Sequence, residues 1–292
     1  MKKKIGIVIL ATMMATLVAC GNDSKTDSDE TTNVDTNETN NVTGESIEES
    51  TEETTDKNEE ASDLLSEEYL LSLPETDPSQ FEYEEIDGGI AITNCLVENG
   101  EETIIVIPNQ IDGKDVIKLG FEAFKRDTYK AIVLNEKLFK INPSCFLTCN
   151  IKQFVLREGL EVIGSKAFYM NDLTQITLPS TLRRIDEEAF GSCDFKEITI
   201  PQNVEEIKSA SFSGCHELET ITFEGPCEVG YGAFTLCGNI KKIICIDGNV
   251  TFDKIEFYTV TNEPKDVTFV APVGSNVEKY AKDNGFKFEA LN

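Results

Sequence analysis

Apolar residues recur along the middle of the chain with a period far longer than that of a helix or a strand. Phe124, Phe146, Phe168, Phe190, Phe212 and Phe234 are separated by successive intervals of 22 residues. Five residues before each stands an aliphatic: Leu119, Ile141, Ile163, Ile185, Ile207 and Val229. Directly before each is a small residue: Ala123, Cys145, Ala167, Ala189, Ser211 and Ala233. A single-core globular fold has no need of a constant period of this length. A stack of equal coils does, because each coil must set the same side chain over the one below. The pattern therefore predicts a mainly β repeat solenoid of about six 22-residue coils.

Within one period the finer alternation predicts a strand. In the copy Leu173 to Phe190, Leu173, Ile176 and Leu178 are apolar, Thr177 points outward, and Pro179 ends the strand because it has no N–H to give. Leu182 and Ile185 return to the core, Asp186-Glu187-Glu188 makes a polar turn, and Ala189-Phe190 re-enters. Equivalent strands are expected at Ile132-Val133-Leu134, Phe154-Val155-Leu156, Ile198-Thr199-Ile200, Ile221-Thr222-Phe223 and Ile243-Ile244-Cys245, the Ile221 copy shifted by one residue. Stacked about 4.8 Å apart, six such coils make a body about 30 Å long.

The flanks differ. Residues 64–73 carry leucines near helical spacing and end at Pro74. Phe81 to Thr93 alternates on both sides of Asp87-Gly88-Gly89, a hairpin signal. Residues 64–103 thus read as an N-terminal helix and hairpin cap. Residues 104–246 hold the repeats, and 247–292 a degenerate last repeat followed by a strand–helix–strand cap, the helix beginning at Ser275 and stopping at Gly285.

The N-terminus reads as an address. Lys2, Lys3 and Lys4 precede an apolar run from Ile5 to Val18 that is too short to span a bilayer as a mature helix. The segment Leu17-Val18-Ala19-Cys20-Gly21 resembles a bacterial lipoprotein signal. That resemblance implies that residues 1–19 are removed and that Cys20 carries a diacylglycerol anchoring the chain to the outer face of a bacterial membrane, two acyl chains sufficing for stable anchoring. Asn22 to Glu60 contains fourteen acidic residues and two lysines, with almost no large apolar side chains. Such a stretch cannot offset its ordering entropy, so 20–63 reads as a lipidated cysteine followed by a disordered acidic tether. A calcium loop at Asp23, Asp27 and Asp29 lacks the glycine and closing glutamate that an EF-hand requires.

Composition narrows the chemistry. A formal net charge of −27 repels phosphate backbones, which excludes nucleic acid as a partner. There is no phosphate-binding GxxxxGK[ST] run, and His216 is the single histidine, so no His-based triad or paired-His metal site can be built. A dyad with the adjacent Cys215 is formally available. Cys149, Cys193, Cys215 and Cys237 follow the repeat rather than a zinc spacing. They fit a column of small buried thiols, with disulfides between neighbouring coils or zinc as alternatives. No cofactor and no metal is expected.

The segments LPSTLRRIDEEAFGSC (178–193) and IPQNVEEIKSASFSGC (200–215) are similar to the BspA-type leucine-rich repeat of bacterial surface proteins, as are IPNQIDGKDVIKLGFEAF (107–124) and APVGSNVEKYAKDNGFKF (271–288). The resemblance covers about residues 86–290. It departs at Asn171, in the column that elsewhere holds Cys, and around Asp247 to Thr261. It implies a right-handed leucine-rich-repeat coil with a parallel sheet on one face, surface display, and recognition of an extracellular protein or glycan. The candidate surface is the outward column Val133, Val155, Thr177, Thr199 and Thr222, flanked by Gln153, Gln175, Glu197 and Thr220. A structural or self-associating envelope protein is the alternative, and an envelope hydrolase a remote one.

Overall fold

The computed structural model describes residues 64–254 and 266–291. The signal, Cys20 and the acidic tether lie outside the described residues, as do 255–265 of the degenerate repeat.

The chain opens with helix α1 (Glu67–Ser72), whose N-cap Ser66 accepts a hydrogen bond from Tyr69 N. A hairpin follows, β1 (Phe81–Ile86) antiparallel to β2 (Gly89–Cys95), turning at Asp87-Gly88. Next come β3 (Gly100–Val106), the short pair β4 (Gln110–Ile111) and β5 (Lys114–Leu119), then β6 (Thr128–Val133), β7 (Lys140–Ile141), β8 (Asn150–Val155) and β9 (Val162–Ile163). The second half contains β10 (Arg184–Ile185), β11 (Glu197–Ile200), β12 (Glu206–Ile207), β13 (Thr220–Phe223), β14 (Glu228–Val229), β15 (Lys242–Cys245) and β16 (Thr251–Phe252). It closes with β17 (Thr268–Ala271), helix α2 (Asn276–Asp283) and β18 (Lys287–Ala290).

The coils are joined along three edges. The first is a continuous sheet in the order β1-β2-β5-β7-β9-β10-β12-β14-β16, parallel from β2 onward. Its rungs are the predicted aliphatic column: Leu119 lies beside Ile141, Ile141 beside Ile163, Ile163 beside Ile185, and so on to Val229 beside Phe252. The hairpin closes the N-terminal end of this sheet.

The second edge is the aromatic turn. Successive ring centroids lie 5.1, 5.2, 5.1, 5.3 and 5.5 Å apart from Phe124 to Phe234. Each ring is fully buried. Two residues before each Phe the backbone enters the left-handed region, at Glu122, Ser144, Lys166, Glu188, Ala210 and Gly232. It does so again two residues after, at Arg126, Thr148, Met170, Ser192, Gly214 and Leu236. A non-glycine residue pays about 1–2 kcal/mol for that conformation. The offset is a bond from coil to coil at every turn: Phe168 N donates to Ala189 O at 2.8 Å and Met170 N to Gly191 O at 2.8 Å.

The cysteine column serves the same turn. Cys149, Cys193, Cys215 and Cys237 each donate their thiol to the carbonyl of the Phe 25 residues earlier. The acceptors are Phe124, Phe168, Phe190 and Phe212. Asn171 fills the gap in the series with its amide, Nδ2 donating to Phe146 O at 2.8 Å. Its other end has no counterpart in a thiol, and Asn171 Oδ1 is buried without a hydrogen-bond partner.

The third edge is the sheet predicted from the strand alternation, and it is discontinuous. One part runs β3-β6-β8 and the other β11-β13-β15-β17-β18. The copy beginning at Leu173, which reads most plainly as a strand, joins neither part. The reason lies one coil earlier. The equivalent inward position in β8 holds Phe154, whose ring stands edge-on to Phe146 at 4.8 Å and to Phe168 at 4.9 Å. It fills the space beside Phe168 that an isoleucine one coil on would share. Ile176 is accordingly half-exposed, whereas Ile132, Ile198, Ile221 and Ile243 are buried. Overfilling a core in this way displaces a neighbour rather than compressing it. The one-residue shift at the Ile221 copy is present, Ile198 pairing with Ile221 at an interval of 23 and Ile221 with Ile243 at 22.

Two stability measurements check this account. Phe190→Ala removes a ring stacked on both sides and is expected to cost about 3–5 kcal/mol in a denaturant titration. Asn171→Cys keeps the bond to Phe146 O and removes the buried orphan acceptor, so it is expected to stabilise by about 1–2 kcal/mol. A loss of stability in the second variant would show that the amide is better satisfied than its surroundings indicate.

Candidate binding face and the break in its sheet

Outward-pointing residues of the third edge divide into a covered half and an open half. Helix α1 lies on the covered half. Its buried Leu70 packs with Ala131, Val133 and Val155, and Leu65, Leu73, Ile104 and Val106 complete this small outer cluster. The helix therefore lies across the sheet face, and Val133 and Val155, expected to face solvent, are 2% and 5% exposed. Val155 is unavailable to a partner for that reason. The alternation gave the correct side of the strand but could not show what lies on it. A valine pair where later coils carry threonine was the available signal.

Gln153 is also engaged. Its Nε2 donates to Leu65 O at 2.8 Å and its Oε1 accepts from Leu65 N at 3.0 Å, so one amide grips both polar groups of one residue of the covering segment. The remaining candidates stay on the open half. Gln175, Thr177, Glu197 and Thr199 are exposed, and Thr220 and Thr222 are half-buried. Register places Glu197 beside Thr220 and Thr199 beside Thr222.

Between the two halves the displaced segment leaves a cleft of about 630 Å³. Leu65 and Glu67 from the helical segment, Gln175 and Thr177 from the unpaired segment, and Glu197 and Thr199 from β11 all line it. Glu158 and Glu224 also line it, and none of the described lining residues is basic. Glu158 is held rigidly: its carboxylate accepts from Ser180 N, Ser180 Oγ and Thr181 N at 3.0, 3.0 and 3.1 Å. The Ser180 amide is the main reason its carboxyl sits below the ordinary range. The cleft is thus an anionic trough with an apolar wall, suited to a polar or cationic ligand.

The groups that could have done nucleophilic chemistry are occupied elsewhere. Cys215 Sγ donates to Phe190 O, while His216 Nδ1 lies 3.1 Å from Leu236 O. Burial pushes Cys149 and Cys227 up to about 12, and moves Cys145, Cys193 and Cys245 upward as well. The thiolate is the reactive form, so these side chains are inert at neutral pH. Their protonated state favours folding below the ordinary thiol value of 9.0, and that contribution is lost as pH rises from there toward about 12. Iodoacetamide at pH 8 is expected to leave these five cysteines unmodified in the native protein and to alkylate them after denaturation, read by peptide mass spectrometry. Rapid native labelling of Cys193 would contradict its placement.

The comparisons with known proteins agree with the coil. The BspA type leucine rich repeat region matches in six copies, over residues 99–219 and 183–278. Among solved structures, the T. pallidum leucine rich repeat protein is 25% identical, with a TM-score of 0.57, covering 74% of this chain and 98% of its own. A leucine-rich repeat protein from Bacteroides ovatus is also 25% identical, with a TM-score of 0.48, covering 67% of this chain and 55% of its own. No protein of curated function matches the chain. With stacked coils and repeat matches running through the same stretch of sequence, the chain belongs to the BspA type leucine-rich-repeat family.

Proposed function

We propose that this protein is a bacterial cell-surface binding protein that recognises an extracellular protein or glycan, in the manner of an adhesin, through the open half of its third edge. In this reading residues 1–19 are cleaved, Cys20 is lipidated, and the acidic stretch to residue 63 holds the folded part away from the membrane. The helix-and-hairpin region 64–103, the repeats 104–246 and the cap 247–292 then form the displayed body. Leucine-rich repeats are typically non-enzymatic binding scaffolds.

One observation carries the proposal. Gln175, Thr177, Glu197, Thr199, Thr220 and Thr222 lie uncovered on adjacent coils, while the same face on the preceding coils is already occupied by the chain's own helix. Where β11 and β13 hold them in register, short polar side chains offer hydrogen bonds at regular spacing with little entropy to lose. Self-association is the second reading, and β18 favours it. That strand ends its sheet, and most of its residues are exposed, which leaves an edge able to pair with another chain.

The test is a binding array of matrix proteins and glycans, probed with the full chain and with the Thr177→Lys/Thr199→Lys double variant. Both threonines are exposed, so the variant is expected to melt with the wild type. A wild-type signal reduced about tenfold or more in the variant supports the proposal. A signal unchanged in the variant moves the site off this face. Silence across the array with concentration-dependent mass in solution favours self-association.

A further inference from the structure

We infer that the cleft at the sheet break is a receptor for an extended, cation-bearing peptide whose backbone is gripped by Gln175. This rests on the proposed use of the open face and names the ligand for it.

The protein contains a worked example of the interaction. Leu65 lies in an extended stretch ahead of α1, and Gln153 holds its N–H and C=O together with one side-chain amide. Such a two-point contact reads backbone and not side chain, as a neighbouring strand would. Gln175 stands one 22-residue period further along the same column, exposed and lining the cleft. The break adds a second source of main-chain hydrogen bonds, because β11 ends its sheet on the side that faces the cleft.

Charge selects the occupant. Glu67, Glu158, Glu197 and Glu224 line the trough together with Gln175, and no basic residue lines it among the described residues. The acidic stretch from Asn22 to Glu60 would be repelled, so the chain's own tether is a poor occupant. Where the covering segment inserts Leu70 between valines, the open coils present Thr177 and Thr199. The fitting ligand is therefore an extended peptide with lysine or arginine alternating with small polar residues, its cations reaching the glutamates.

Fluorescence polarisation with the full chain tests this. The probe is a labelled peptide of about ten residues alternating lysine and threonine, compared with a glutamate–threonine peptide and with a backbone N-methylated lysine–threonine peptide. The lysine peptide is expected to bind, and the glutamate peptide not to bind. N-methylation and the uncharged change Gln175→Leu are each expected to weaken binding about tenfold, with melting temperature unchanged. Glu197→Gln is expected to weaken it less and to flatten its salt dependence. Equal affinity for the N-methylated peptide, or no effect of Gln175→Leu, would mean attraction to a negative surface alone and would overturn the assignment. Absence of peptide binding, with an array signal still lost in the Thr177→Lys/Thr199→Lys variant, would overturn the peptide assignment and leave the face reading standing. Loss of both would remove both.

Discussion

The constraint on which everything else in this molecule depends is the contact between one phenylalanine and the next. Centroids separated by 5.1 to 5.5 Å fix the rise per coil on the turn side close to the spacing that hydrogen-bonded strands demand on the other. Removing a ring leaves a cavity between the rings above and below it, since the strand rungs hold the rise. The left-handed residues on either side of each ring are strained so that the ring can point inward. The thiols beneath them add a hydrogen bond from the next coil to the carbonyl of each Phe.

The same packing explains where regularity fails. Phe154 adds a second aromatic to a coil that already has one, and the strand one period later gives way. The result is a gap in one edge while the other two continue through it. On one side of the gap the chain has used its own N-terminal segment to cover the sheet, and on the other it has left threonines bare. The candidate site arises at the boundary between these two treatments of one repeating surface.

Much of this was legible in the sequence because a solenoid writes its contacts at a fixed interval. The Phe and aliphatic columns, the hairpin at Asp87-Gly88, the one-residue shift before Ile221 and the Ser275-capped helix all follow from local pattern. What stayed hidden depends on volume and on long-range placement. The segment at Leu173 alternates well, yet it joins neither part of the sheet, and the bulk of Phe154 22 residues before Ile176 is where its coil differs. The leucines of residues 64–73 called for a helix but not for its resting place, and Leu70 settled on Val133 and Val155. The paired left-handed positions escaped notice because most are occupied by residues other than glycine. Of the candidate face, the outward direction was predictable and the occupancy was not.

The broken edge also has a mechanical meaning. At the gap the third line of strand pairing is missing, and the two halves are joined there by the aliphatic rungs, the aromatic turn and the bonds from Ser180 and Thr181 to Glu158. Lateral bonds share a load roughly in proportion to their number. Pulled end to end, the seam would lean on fewer strand bonds than the paired coils on either side of it, and a ligand bridging it would be the rivet that closes it.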